Sequence, residues 1–399
     1  MAGRTRRRAA ALALGAALSL GAMAAADQPR VEIPMTYLRQ EVERPPVLSN
    51  LDPIPEDLGV AGAEVALKDT KSTGKFLGHD YSLDVVSVEP GGDLLAAARQ
   101  ALAASPILFL DAGPEQILAV ADLPEAQGAL VFNVASGDRR LRDADCRANL
   151  LHTIPEDAMR TDALMQALAA RRWTRTALIV GPQPGDKAFA ETLRASAAKF
   201  GVKILAEKDW TFDTDLRRTA GAEIPTFTQG FPDYDMLLIA DEADDFARYV
   251  QDNTWLPRPI GGSDGLRGEA WAPVLEQWAA VQLQNRFEGA AEREMRSRDY
   301  GAWTAVRTIA EAVTRTGSAD PAVLRAYIVS PDFALDGFKG RTLTYRDWDG
   351  QLRQPMAVVN ARALVELAPV EGFLHRENDM DTLGLDRAES ACTAFGGQK

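Results

Sequence analysis

From residue 31 onward short apolar runs alternate with amphipathic stretches several turns long, and that alternation confines the chain to a parallel α/β architecture. Residues 31–38 read as a first strand, followed by an extended loop carrying Pro45, Pro46, Pro53 and Pro55. A helix over 56–71, a strand over 79–89, a helix over 93–104 and a buried strand over 107–110 come next. Pro114 suits the first position of another helix, and 129–133 is a fourth strand. That makes one doubly wound half.

A second half begins near Ile154-Pro155. It reads as helix 158–171, strand 176–180, helix 186–200 ended by Gly201, strands 203–208 and 236–239, helix 243–252 and strand 258–261. Helices around 271–287, 300–316 and 321–328 follow. A hairpin closes the pattern, turning at Asp347-Trp348-Asp349-Gly350 between strands 341–345 and 354–359. The expected fold is thus two Rossmann-like lobes with parallel sheets.

The N-terminus has its own layout. Arg4, Arg6, Arg7 and Arg8 precede an apolar run over 9–22, and Ala24-Ala25-Ala26 is an A-x-A cleavage signal, so 1–26 reads as a secretory leader. The run is short for a span of about 20 residues. The remaining chain, about 370 residues, exceeds what one core usually supports, which favours two domains. Loss of the leader's four arginines takes the formal net charge from −13 to −17. So acidic a surface repels nucleic acid and anionic lipid. Cys146 and Cys392 are the only cysteines, and in an oxidising compartment they most simply form one disulfide; two unpaired thiols are the other reading. A bridge over so long a loop stabilises by about 5 kcal/mol in the loop-entropy model.

Two helical stretches carry a family likeness. Residues 57–74 and 299–321, each read as an amphipathic helix closed by glycine (Gly74 and Gly317), resemble signature helices of the branched-chain amino-acid-binding family of periplasmic receptors. Leu151-His152-Thr153-Ile154-Pro155 resembles that family's first crossing between lobes, and Gly261-Gly262-Ser263-Asp264-Gly265 the end of the last strand before the chain crosses back. The resemblance implies a three-crossing hinge. It places 27–152 with 266–330 in one lobe, 153–265 with 331–370 in the other, and 371–399 in a C-terminal tail. It also implies a monomeric periplasmic receptor with no catalytic activity and no cofactor, serving an ABC permease and ATPase. Ser49-Asn50-Leu51 and residues 146–152, 282–287 and 371–375 resemble, more narrowly, receptors accompanying PQQ-dependent alcohol oxidation and lanthanide use. That likeness leaves as the other reading a lanthanide or other metal-ion carrier, or an accessory or sensor protein of such an oxidation system that docks a protein instead of a permease.

In open α/β sheets ligands sit beyond the carboxyl ends of the strands. The candidate ligand-binding residues are therefore Tyr37, Asp111, Ala112, Ala135 and Ser136 in the first half, and Gly181, Asp241, Glu242, Ser263 and Asp264 in the second. Family members hold a ligand carboxylate with hydroxyl and backbone donors after strands three and four, a role Ser136 could keep. Asp111 stands where a small hydroxyl residue would be expected. Together with Asp241, Glu242 and Asp264 it suits a cation, an amine or a hard metal, although strand-end acids also cap helices and meet water. Gly261–Gly265 also fits G-x-S-x-G, with His375 downstream, but glycine is frequent and His375 lies in a tail with no strand to position it. The acid-rich stretches at Asp347-Asp349 and Asp379-Asp381 lack calcium-loop spacing and read as a hairpin turn and a solvated tail. His79 and His152 show no zinc spacing. Trp271, Trp278 and Trp303 at helical spacing read as core.

Overall fold

A computed structural model describes residues 30–43, 53–211 and 219–396; the expected leader, Pro45, Pro46 and residues 49–51 lie outside them. The first half supplies β1 (Val31–Gln40), α1 (Val60–Leu77), β2 (His79–Val88), α2 (Leu94–Ala104), β3 (Ile107–Asp111), α3 (Pro114–Ala121), β4 (Leu130–Asn133) and β5 (Leu150–His152). Its strands pair in the order β2-β1-β3-β4-β5, all parallel. The period of two sends alternate residues to opposite faces. Met35, Tyr37, Phe109 and Phe132 enter one core, and Leu38, Leu108, Leu110 and Val131 the other, under α2 and α3.

The second half supplies α4 (Asp157–Ala170), β6 (Arg175–Val180), α5 (Pro184–Lys199), β7 (Lys203–Asp209), α6 (Ala220–Thr228), β8 (Met236–Ala240), α7 (Ala247–Val250) and β9 (Ile260–Gly262). Its sheet is again parallel, in the order β7-β6-β8-β9. Leu178, Val180 and Leu238 face α4 and α5, while Ile179, Leu237 and Ile239 face α6 and α7.

The chain then runs through β10 (Arg267–Glu269), α8 (Ala280–Ala291), α9 (Ser297–Thr316), α10 (Pro321–Ile328), β11 (Leu335–Asp336), β12 (Thr342–Tyr345), β13 (Leu352–Arg353), β14 (Met356–Asn360) and β15 (Ala363–Ala368). Strand β14 lies between the two halves, with β10 on one side and β15 on the other. Its alternate residues feed both cores: Ala357 and Val359 the first, Met356 and Val358 the second.

Several sequence-based boundaries are corrected. Helix α1 passes Gly74 and ends at Gly78, which is left-handed at φ 72°. A Cβ on Gly74 would come within 2.8 Å of the His79 carbonyl oxygen, so this glycine allows helix and strand to meet. Trp271 precedes its expected helix, which starts only at Ala280 after Trp278 and Ala279 adopt positive φ. Trp278 is exposed, not core. The helix expected over 243–252 shrinks to α7, because the Asp241 carboxylate accepts from the N–H groups of Asp245, Phe246 and Ala247 and holds that segment as a cap. The closing hairpin is β12 with β13; Pro355 offers no N–H, and the next strand joins β10 and β15 instead. Phe333, Leu335, Leu343, Tyr345 and Leu352 pack in the first sheet's core. Asp381 is buried, bonded to Arg346 at 3.1 Å and Arg353 at 2.7 Å, where a solvated tail was expected. Cys146 and Cys392 are joined. No helix among the described residues is long and apolar enough to cross a membrane.

Candidate functional site

The carboxyl ends of β1, β3 and β4 open on a cavity of about 700 Å³. Four of the expected residues line it: Asp111, Ala112, Ala135 and Ser136. Tyr37 does not reach it. Strand β1 continues past residue 38, so Arg39 and Gln40 form the rim while Tyr37 is buried beneath. Its hydroxyl donates to Asp111 Oδ2 at 2.9 Å. Burial first, and then the Asp111 charge, push the Tyr37 phenol well above its ordinary pKa, so it stays a donor.

The loop after β4 is folded around Asn133. The Asn133 Oδ1 accepts from Ala135 N–H (3.1 Å) and Ser136 N–H (2.8 Å), and its Nδ2 donates to the Ser136 carbonyl at 2.8 Å. The Ala135 and Ser136 N–H groups, two backbone donors after strand four, are thereby spent within the protein. Next to β3, Gly113 N–H is likewise given to Gln116 Oε1 at 3.2 Å.

Arg298 compensates. It stands in the first turn of α9, lines the cavity, keeps 41% of its side chain exposed, and meets Asp111 Oδ1 at 3.4 Å. Sequence reading missed it because it attended only to strand ends; the usable signal was the start of a helix reaching the same end of the sheet. A second cavity of about 670 Å³ adjoins the first, sharing Leu58 and Arg298, and is walled by Trp271, Ala272, Pro273 and Met295.

The second-half candidates gather elsewhere, and none of the five lines either cavity. Gly181 abuts Asp186, whose Oδ2 would lie 2.2 Å from an added Cβ. Asp241 is the cap already described. Ser263 Oγ accepts from Asp241 N–H and donates to Glu242 Oε1, both at 2.9 Å. Asp264 Oδ1 accepts from Gly265 N–H at 2.7 Å. Arg160 binds Glu242 with both terminal nitrogens (2.8 and 3.2 Å) and Asp157 at 3.1 Å. Burial opposes ionisation of both partners. Even so, Glu242 and Asp157 hold the Arg160 guanidinium above its ordinary pKa, and Arg160 holds Glu242 below the usual carboxylate range. Asp157 N–H donates to the Gly137 carbonyl at 2.9 Å, so this network abuts the loop after β4.

The four acids expected to choose a cation therefore do not converge. Among the described residues no group of three or more His, Cys, Asp or Glu could hold a metal ion. The G-x-S-x-G segment leads into β10 and not into a helix, and His375 faces Asp386 at 3.6 Å.

With this geometry the chain can be set beside solved structures. A branched chain amino acid ABC transporter periplasmic ligand-binding protein from Burkholderia xenovorans superposes with a TM-score of 0.69 at 16% identity, covering 91% of this chain and 100% of that one. The fold is that of a type 1 periplasmic binding protein. The same type 1 fold matches a leucine-, isoleucine-, valine-, threonine- and alanine-binding protein from Brucella ovis in its closed conformation (TM-score 0.64, 14% identity, 86% of this chain and 93% of that one). It also matches a solute-binding protein from R. palustris in complex with benzoate (TM-score 0.61, 13% identity, 91% and 99%). No family model and no curated protein matches the sequence.

Proposed function

We propose that this protein is the periplasmic substrate-binding component of an ABC importer, capturing a small polar solute by hinge closure and handing it to a permease. The observation that carries the reading is the cavity at the carboxyl ends of β1, β3 and β4 within a type 1 fold. The leader-like residues 1–26 support a place outside the inner membrane. Neighbours named for amino acids or crystallised with benzoate support a small organic ligand. Closure follows if the ligand binds the closed form better than the open one. The working division is 27–152 with 266–330 as one lobe, 153–265 with 331–370 as the other and 371–399 as a C-terminal tail, and the receptor acts as a monomer. The packing of Phe333 to Leu352 in the first core favours the first lobe for that stretch. The likeness of residues 146–152, 282–287 and 371–375 to receptors of PQQ-dependent alcohol oxidation supports that metabolic setting, with a permease as partner.

A melting-point screen of the mature protein tests the reading, since a ligand that binds only the native state raises the transition by mass action. The panel comprises amino acids, organic acids, amides, alcohols, aldehydes, polyamines, calcium and lanthanide ions. One organic class is expected to raise the transition by several degrees, and Ala135→Trp, which fills the cavity, to abolish the shift. No response to any compound, with X-ray scattering unchanged throughout, would end the receptor reading. A response to lanthanides alone would transfer it to metal carriage.

A further inference from the structure

We propose that the ligand is an organic anion with an apolar body, its charged end held by Arg298 and its body seated against Trp271, Ala272, Pro273 and Met295. The inference rests on the receptor reading above and names the substrate class of that same cleft.

Five charged side chains line the first cavity: Arg39, Glu41, Glu56, Asp111 and Arg298. Arg39 is engaged at all three nitrogens, giving Nε to Ser87 Oγ (2.8 Å), Nη1 to the Glu56 carbonyl (2.5 Å) and Nη2 to Glu41 (2.9 Å). That last bond engages one oxygen of Glu41. Glu56 stands exposed at the outer lip. Asp111 keeps only 9% of its side chain exposed, with one oxygen on Tyr37 and the other facing Arg298. An incoming ammonium thus finds the inner carboxylate covered and a guanidinium beside it.

Arg298 is in the opposite condition. Its one contact is long, and it faces both cavities. A guanidinium presents a planar fork that matches a carboxylate with two parallel bonds. The nearby backbone N–H groups that could have shared this task are taken by Asn133 and Gln116. Helices α1, α3 and α9 all begin at this rim, and their positive ends add to the same sign.

The second cavity supplies the apolar half. The Trp271 indole N–H is given to Gln284 (3.0 Å) and its ring stacks on Tyr300 at 5.0 Å. Of the polar groups around it, Ser297 Oγ is paired with Glu269 at 2.6 Å, and Arg293 with Asp57 and Asp299, each at 2.8 Å; Arg267, Glu294 and Arg296 also stand in the lining. The wall formed by Trp271, Ala272, Pro273 and Met295 offers a ligand hydrocarbon and ring, and each cavity falls in the range of about 300–1,000 Å³ usual for small-molecule sites.

Titration calorimetry on the full mature protein decides the matter. The probes are monocarboxylates with straight-chain and aryl bodies of increasing size, each with its matched primary amide, primary amine and α-amino acid. The expected order puts the carboxylate at least tenfold above its amide, with affinity rising as the body grows. Arg298→Gln should erase the carboxylate–amide gap, weakening the carboxylate at least tenfold more than the amide, and Arg298→Lys should restore part of the gap. Leu58→Trp, which narrows the junction between cavities, should flatten the size dependence. The proposal is overturned if the amine or the amino acid binds tighter than the carboxylate, if Arg298→Gln keeps the gap, or if body size has no effect. Tight binding of amines would leave the receptor reading standing and remove this one; silence across this series and the wider panel would remove both.

Discussion

Glu156 lies where the first crossing meets the C-terminal segment, fully buried, with Oε2 accepting from Leu385 N–H at 3.0 Å and Oε1 without a partner. Burial raises its pKa from 4.5 to about 7, against the pull of Arg142 and Arg346 and with some help from Asp349. Between those values the unfolded chain releases a proton that the native state keeps, so this group's contribution to stability falls as pH rises, by about 1.4 kcal/mol per unit. Below pH 4.5 both states are protonated and nothing differs. Glu156→Gln should therefore melt close to the parent at pH 4.5 and above it at pH 8, by on the order of 2 kcal/mol in calorimetry. Equal shifts at both pH values would mean that the carboxyl is ionised in the native protein. Sequence gave no hint of this residue, because a glutamate before a helix is ordinarily a solvated first-turn charge. Its burial comes from a tail more than two hundred positions away.

At the scale of elements, the contact of α1 with α9 depends on one missing methyl group. A Cβ on Gly62 would lie 1.9 Å from the backbone oxygen of Asp299, so the two helices touch at main-chain distance there. Gly62→Ala should destabilise by about 2–4 kcal/mol in urea titration, since neither backbone can yield without moving its helix. Gly289 in α8 has nothing within 4 Å of its virtual Cβ. Gly289→Ala should be neutral or stabilising by up to about 1 kcal/mol, and serves as the control. The elements themselves were largely legible. Strands and helices advertised their periods, and Gly201, Gly317 and Pro114 stand where helix ends were read. The misreadings fall where a distant group overrides the local signal. Trp278 turns out over Gly340, whose Cβ would lie 2.5 Å from the indole, and Asp241 delays α7 by capping it.

Across the whole molecule the C-terminal segment acts as a strap. Gly384 N–H is held by Asp162 Oδ2 at 2.8 Å on α4, and Lys199 on α5 donates to the Gly384 carbonyl at 3.0 Å. Farther on, Ser390 Oγ donates to the Arg142 carbonyl at 3.2 Å, and Cys392 bonds to Cys146 in the loop that follows β4. The segment thus joins second-half helices to the first sheet outside the three crossings. Cys392→Ser should cost about 3–5 kcal/mol in urea unfolding, the loop-entropy figure for a closure of 246 residues less any native strain. Reductant should bring the parent to the variant's midpoint and leave the variant unmoved. A midpoint insensitive to both would show that the non-covalent contacts alone hold the strap.

The sequence by itself determined the two parallel sheets, their order along the chain and the end of the first sheet where a cavity opens. Those features depend on apolar period, glycine and proline, which act over a few residues. Only the tertiary structure decided the cleft's chemistry. Arg298 meets Asp111 across 187 positions, Tyr37 locks that carboxylate from below, and Asn133 withdraws the backbone donors. Which charges neutralise one another depends on the path of the folded chain, and local pattern carries no record of it.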